Sequence, residues 1–170
     1  HAGLRHARHM GASRAGAVER AENYVDSGAF ERDLADRVAV RTESQSFPNP
    51  KSVAECHRYL AEHMKPAFEA MGFTTRTYEN PFKGQGPVLL ATRIEDPSLP
   101  TILGYGHGDV VSGQEGRWSA GRSPWTLSVE CGRWYGRGTA DNKGQHTVNL
   151  AALLHTLRAR FREDRLGLTA

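Results

Sequence analysis

The amino-acid sequence predicts an α/β fold, a partial doubly wound sheet with helices on both faces. Three observations carry that expectation. Stretches with apolar residues every three to four positions alternate with short apolar, strand-like runs. Asn-Pro and Asp-Pro pairs punctuate the runs. Two glycine-rich turns each follow directly on a strand-like run, where open α/β sheets gather their sites.

Residues 15–26 read as a helix ended by Ser27 and Gly28. A second helix is predicted over 29–40, where Phe30, Leu34 and Val38 recur every four positions on one face. Residues 42–48 read as a polar loop. Asn49 and Pro50 then supply an N-cap and a proline at the first helical position. The helix they open carries Val53, Cys56, Leu60, Met64, Phe68 and Met71 at spacings of three and four. That stripe reads as core packing, methionines included. Pro66 should kink or shorten the helix, because proline lacks an N–H for the ladder. Gly72 stands where a residue just past a helix end belongs. Strand-like runs follow at 73–78, 88–94 and 101–105. After a polar loop at 112–124, residues 125–130 and 133–135 read as a hairpin around Cys131 and Gly132. The last long helix is predicted at 143–161, with Leu150, Leu154, Leu157 and Phe161 inward. Arg158, Arg160 and Arg162 sit near its C-terminus, where cations favour the helix dipole. Residues 166–170 read as the start of a further strand.

At 170 residues the chain is about one domain long. Its 22 basic residues outnumber 19 acidic ones, giving a net charge of +3. Arg5, Arg8 and Arg14 account for that surplus. They lie in a leader, residues 1–14, that holds no acid and reads as tag-like or disordered, with His1, His6 and His9 also in it. Residues 15–170, the domain proper, are therefore electrically balanced, without the basic footprint of a nucleic-acid binder. No apolar run approaches the roughly 20 residues of a membrane span, and no signal-peptide pattern opens the chain. No membrane partner and a cytoplasmic location are expected. Cys56 and Cys131 lie far apart and form no Cys-x-x-Cys pair, which suits buried thiols in a reducing cytosol.

The chemistry concentrates in the two turns. Gly104–Tyr105–Gly106–His107–Gly108–Asp109–Val110–Val111 places an imidazole and a carboxylate two residues apart, on one side of extended chain. Asp109 is then positioned to bond the ring nitrogen of His107 that faces away from a metal, fixing its tautomer. Thirty-four positions after His107, Tyr135–Gly136–Arg137–Gly138–Thr139–Ala140–Asp141–Asn142–Lys143–Gly144 places Asp141 at the start of the final helix. Alone, Asp141 reads equally as a helix N-cap. Paired with the first turn, it completes the ligand types of a hydrolytic divalent centre.

With these two motifs, in this order, the chain resembles the amino-terminal part of an M20-type metallopeptidase. That group comprises co-catalytic zinc aminoacylases, dipeptidases, carboxypeptidases and deacetylases. The resemblance runs from about residue 20 and is greatest over 102–154. It implies the amino-terminal half of a dizinc-peptidase catalytic domain, with the lid or dimerisation domain and the carboxy-terminal half absent. It implies that His107 ligates one metal, that Asp141 bridges two, and that Asp109 serves catalysis by orienting His107. The cofactors implied are two divalent ions, Zn2+ first, with Co2+ or Mn2+ as alternatives. The implied reaction is attack of a metal-activated water on the amide bond of a small peptide or N-acyl amino acid. A homodimer is implied for the full-length protein only.

The family also uses a general-base glutamate beside a metal-binding one, some thirty-odd positions past the bridging aspartate. Counted from Asp141, that pair falls just beyond Ala170; Glu163 and Asp164 come too early and read as a solvated face. The chain by itself is therefore expected to bind metal poorly, and a catalytically silent module is the alternative. A nucleotide-binding domain is a further alternative, on Gly104-x-Gly106-x-x-Asp109, although a third glycine and a following helix are missing. Asn142 matches neither the Asp common in dipeptidases nor the Met common in deacylases, so substrate choice stays open. His146 and His155 read as packing or surface groups and Arg137 as fixing its turn. Lys143 is left without a role, and Trp118, Trp125 and Trp134 read as packing over the loop.

Overall fold

The structure, a computed structural model, describes residues 13–44, 49–119 and 121–161. Arg162, Glu163, Asp164 and the strand expected at 166–170 lie outside the described residues, as does most of the leader.

Helix α1 (Arg14–Asp26) opens on Ser13, whose hydroxyl accepts from Gly16 N at 3.1 Å. Helix α2 (Ala29–Ala39) buries Leu34 and Val38, as their spacing predicts. Helix α3 (Pro50–Tyr59) starts at the expected proline, with the Asn49 side chain accepting from Lys51 N at 2.9 Å. It runs on through a π-helical turn, Leu60–Met64, into α4 (Lys65–Ala70). Pro66 is the physical cause at hand. It cannot donate to the preceding turn, and its ring crowds the carbonyl four residues back, so a widened turn accommodates it. The continuous stripe is kept, and Met64 and Met71 are both buried. Gly72, at φ +79°, then turns the chain out of the helix.

Strands β1 (Thr74–Tyr78) and β2 (Val88–Thr92) pair antiparallel, Thr74 opposite Thr92 and Tyr78 opposite Val88. Strands β3 (Ser128–Glu130) and β4 (Arg133–Tyr135) form the expected hairpin. Helix α5 (Lys143–Phe161) packs against α1 and α2, while α4 packs against β1 and β2. Between these layers lies a core of Val40, Tyr59, Met64, Met71 and Leu150, with Leu154 and Leu157 packed against it. The side chain of Phe161 lies outside the described residues.

Three local expectations are corrected. Residues 101–105 are in no ladder among the described residues. Ile102 is 93% and Leu103 91% exposed, so this apolar run has neither strand neighbours nor a covered face to hold it in a sheet. The sheet is correspondingly partial: two antiparallel pairs and a parallel bridge from Glu43 to Val110. Trp134 packs not over the loop but on α2, its ring 5.0 Å from that of Phe30. Cys56 is a buried free thiol, but Cys131 is exposed in the hairpin turn, where a pairing strand leaves the turn residues in solvent. Among the described residues, no helix is long and apolar enough to cross a membrane.

Candidate metal centre

The first turn is pinned by residues 42–44. Val110 N donates to Thr42 O at 2.8 Å, Ser44 N to Val110 O at 2.9 Å, and the Thr42 hydroxyl to Gly108 O at 2.6 Å. The second turn is held by Arg137 N to Pro124 O at 2.7 Å and Gly144 N to Gly138 O at 3.1 Å. The peptide between Asp141 and Asn142 is cis.

These anchors bring the two turns together. His107 Nε2 lies 2.9 Å from Asp141 Oδ1, across 34 residues of sequence. The other ring nitrogen, Nδ1, faces Asp109, 3.2 Å from its carboxylate Oδ1 and 3.1 Å from its backbone oxygen. Asp109 thus stands behind the imidazole and Asp141 before it. The Asp141 side chain is 80% exposed, which leaves its carboxylate open to a further partner. Helix α5 begins at Lys143, so the capping position falls to Asn142, and the Asp141 carboxylate turns to His107 instead. Asn142 works on both sides: its Oδ1 accepts from His107 N at 3.3 Å, and its amide donates to Gln145. His107, Asp109 and Asp141 line a cavity of about 200 Å3, together with Ser44 and Arg137. After Asp109 the chain runs through coil to a 3-10 turn, Glu115–Arg117, so no helix N-terminus follows for a dinucleotide phosphate.

Residues 103–169 match the family described as Peptidase family M20/M25/M40. Over 142 residues the sequence is 30% identical to the Beta-Ala-His dipeptidase of Rattus norvegicus, an alignment covering 76% of this chain and 28% of the relative. Over residues 103–169 the chain is similar to the M20 peptidases. A succinyl-diaminopimelate desuccinylase of Legionella pneumophila is 31% identical over 128 residues, with 74% of this chain and 30% of the relative covered. The crystal structure of human carnosine dipeptidase 1 superposes with a TM-score of 0.71 at 28% identity, over 82% of this chain and 31% of that one. The chain thus spans less than a third of the length of these relatives.

Beneath the two turns lies a buried polar layer that the sequence does not announce. Lys143, two residues past Asp141, points away from the cavity into the core. Its Nζ donates to Val40 O at 2.5 Å and sits 5.1 Å from the Tyr59 ring centroid. Burial pushes its pKa down to about 7, outweighing the opposing charge of Glu55. His146 is buried, and Tyr59 OH lies 3.2 Å from its Nδ1. Burial pushes the His146 pKa down to about 4, with the charges of His107, Arg37 and Lys143 acting in the same direction. Burial likewise pushes the Cys56 thiol up to about 11, so it is no thiolate ligand near neutral pH. His155 packs against Tyr24, its ring 5.3 Å away, as the packing reading expects. The Arg137 guanidinium lies 5.7 Å from the Trp118 ring centroid while its backbone holds the turn.

Thr42, Tyr59 and Asn142 all support the site and none was singled out for it from the sequence. A signal existed only for Asn142, beside the bridging candidate. Thr42 and Tyr59 act from distant segments, and their neighbours in sequence give no hint of it.

Proposed function

We propose that this chain carries one histidine and one carboxylate of a two-metal centre that hydrolyses amide bonds in small peptides or N-acyl amino acids. The observation that carries the reading is the 2.9 Å approach of His107 Nε2 to Asp141 Oδ1, with Asp109 on the opposite ring nitrogen. The donor set fits a divalent ion: imidazole nitrogen and carboxylate oxygen suit Zn2+ first, then Co2+ or Mn2+. Asp141, exposed and acceptor-rich, is the carboxylate that would be shared between such ions. Bound there, such ions supply a nucleophilic water near neutral pH and polarise the scissile carbonyl.

This chain's own residues do the rest. Asp109 occupies Nδ1 of His107 and fixes the tautomer, so Nε2 is the nitrogen that would hold an ion. Thr42 and the backbone of Ser44 hold the first turn, and Asn142 ties it to the second, so the donors need little rearrangement on binding. Among the described residues no group of three or more His, Cys, Asp or Glu side chains is placed to hold one ion: His107 and Asp141 face each other across the cavity, and Asp109 stands behind the imidazole. Affinity at the pair alone is accordingly weak. The names of the relatives frame the substrates: a β-alanyl-histidine dipeptide on one side and an N-succinyl amino acid on the other. The free cysteines support a cytoplasmic setting.

Cobalt titration, followed by the visible spectrum of the ion, tests the centre; uptake should vanish in His107→Ala and Asp141→Ala. The intact protein, loaded with zinc or cobalt, should then hydrolyse β-Ala-His or an N-succinyl amino acid. Unchanged metal uptake in both variants, or no metal-dependent cleavage of either substrate, defeats the proposal.

A further inference from the structure

The glycines on either side of His107 do not face open space. Gly106 lies so close to His146 that a methyl group there would overlap the ring at Nε2. Gly108 lies against Tyr59, and a Cβ there would stand 2.5 Å from Tyr59 Cε1. Those two rings are themselves paired. They stack at 29° with centroids 6.4 Å apart, and the tyrosine hydroxyl meets His146 Nδ1 at 3.2 Å. Both residues are more than nine-tenths buried. The pair is fixed from outside as well: Lys143 sets its ammonium 5.1 Å from the Tyr59 ring centroid while bonding Val40 O.

The backbone of the His107 turn therefore crosses a rigid two-ring surface, one glycine on each ring. Close packing leaves such a segment little freedom to shift, and the Asn142 side chain bonded to His107 N restrains it further. A purely apolar pair would fill the same volume; the shared hydrogen bond adds a fixed angle between the rings.

We infer that Tyr59 and His146 form a platform that sets the position of the His107 turn, making them positioning residues rather than ligands. Its consequence for metal affinity rests on the reading of His107 as a ligand; the platform itself can be read without metal. The decisive cycle is Gly106→Ala, His146→Ala and the double variant, in the full chain, each checked for native far-UV dichroism. Two readouts are taken on each: the NMR resonances of the His107 ring and amide in metal-free protein, and the cobalt dissociation constant. In Gly106→Ala the His107 resonances should shift and cobalt binding should weaken about tenfold, the low end for a lost orienting contact. His146→Ala alone should also shift His107, because the support is gone, and the double variant should resemble it: with the ring removed, the added methyl should cost little more. Tyr59→Phe keeps the ring and removes only the hydroxyl, and it should shift His107 without lowering the melting temperature by more than a few degrees.

If Gly106→Ala is equally harmful with and without His146, or if His107 resonances are the same in all variants, the platform is refuted. Should the wild-type chain take up no cobalt while the NMR coupling between positions 106 and 146 persists, the metal centre falls and the platform stands.

Discussion

At the scale of single residues, His146 makes the clearest demand on pH. Its pKa is about 4 in the folded chain, against an ordinary value of 6.5. Below pH 6.5 the unfolded chain takes up a proton that the folded chain refuses. Stability is therefore whole above pH 6.5 and is lost progressively as pH falls towards 4. A shift of that size corresponds to at most about 3–4 kcal/mol. His63, also pushed down by burial, adds in the same direction. Melting temperatures recorded from pH 7.5 to 4 should fall for the wild type and fall less for His146→Gln; parallel curves would contradict the assignment. Asp109 makes a second demand. Replaced by asparagine, it keeps its shape and backbone contact but loses the charge that faces Nδ1 of His107. Cobalt affinity should drop about 10-fold or more, the usual effect of removing a carboxylate behind a metal-bound imidazole, measured by calorimetry. An unchanged affinity would assign the orienting role to the Asp109 backbone oxygen alone.

Between residues and the whole, each element shows what periodicity can and cannot reveal. Helices α2 and α5 and the α3–α4 run were legible because their apolar residues recur at helical spacing, and burial of Leu34, Val38, Met64, Met71 and Leu150 follows from it. The two turns were legible as a pair because each sets a ligand type on a glycine-rich bend. What remained hidden depends on neighbours far along the chain. Pairing of residues 101–105 is a property of adjoining strands, and Tyr59 looks like any other residue of its helix until Gly108 is laid on it. Trp134 was misplaced because α2, its real partner, lies a hundred residues earlier. The junction between α4 and β1 offers a test at this scale. Gly72 sits at φ +79°, and a Cβ there would stand 2.8 Å from Arg93 Nη1. Gly72→Ala should destabilise the fold by about 1–2 kcal/mol from the left-handed backbone alone, read from urea unfolding midpoints. A neutral result would mean that the helix end relaxes into another conformation.

For the molecule as a whole, surface and stability are linked to what can bind. Ile102, Leu103 and Tyr105 are each more than 85% exposed, an uncovered apolar edge of the kind that promotes association. Light scattering of the chain should rise with concentration, and Leu103→Lys should suppress the rise. Metal binding makes the second global prediction. A cation that binds only the folded state stabilises it by RT ln(1 + [L]/Kd), about 2.7 kcal/mol at a concentration 100 times Kd. For a chain of this size that corresponds to a rise of roughly 5–10 °C in melting temperature. The rise should be absent in His107→Ala and in Asp141→Ala and should reverse on adding a chelator. His1, His6 and His9 offer a rival source of metal binding. Replacing all three with alanine discriminates the two origins: the shift survives if the paired turns hold the ion, and disappears if the histidines near the amino terminus do.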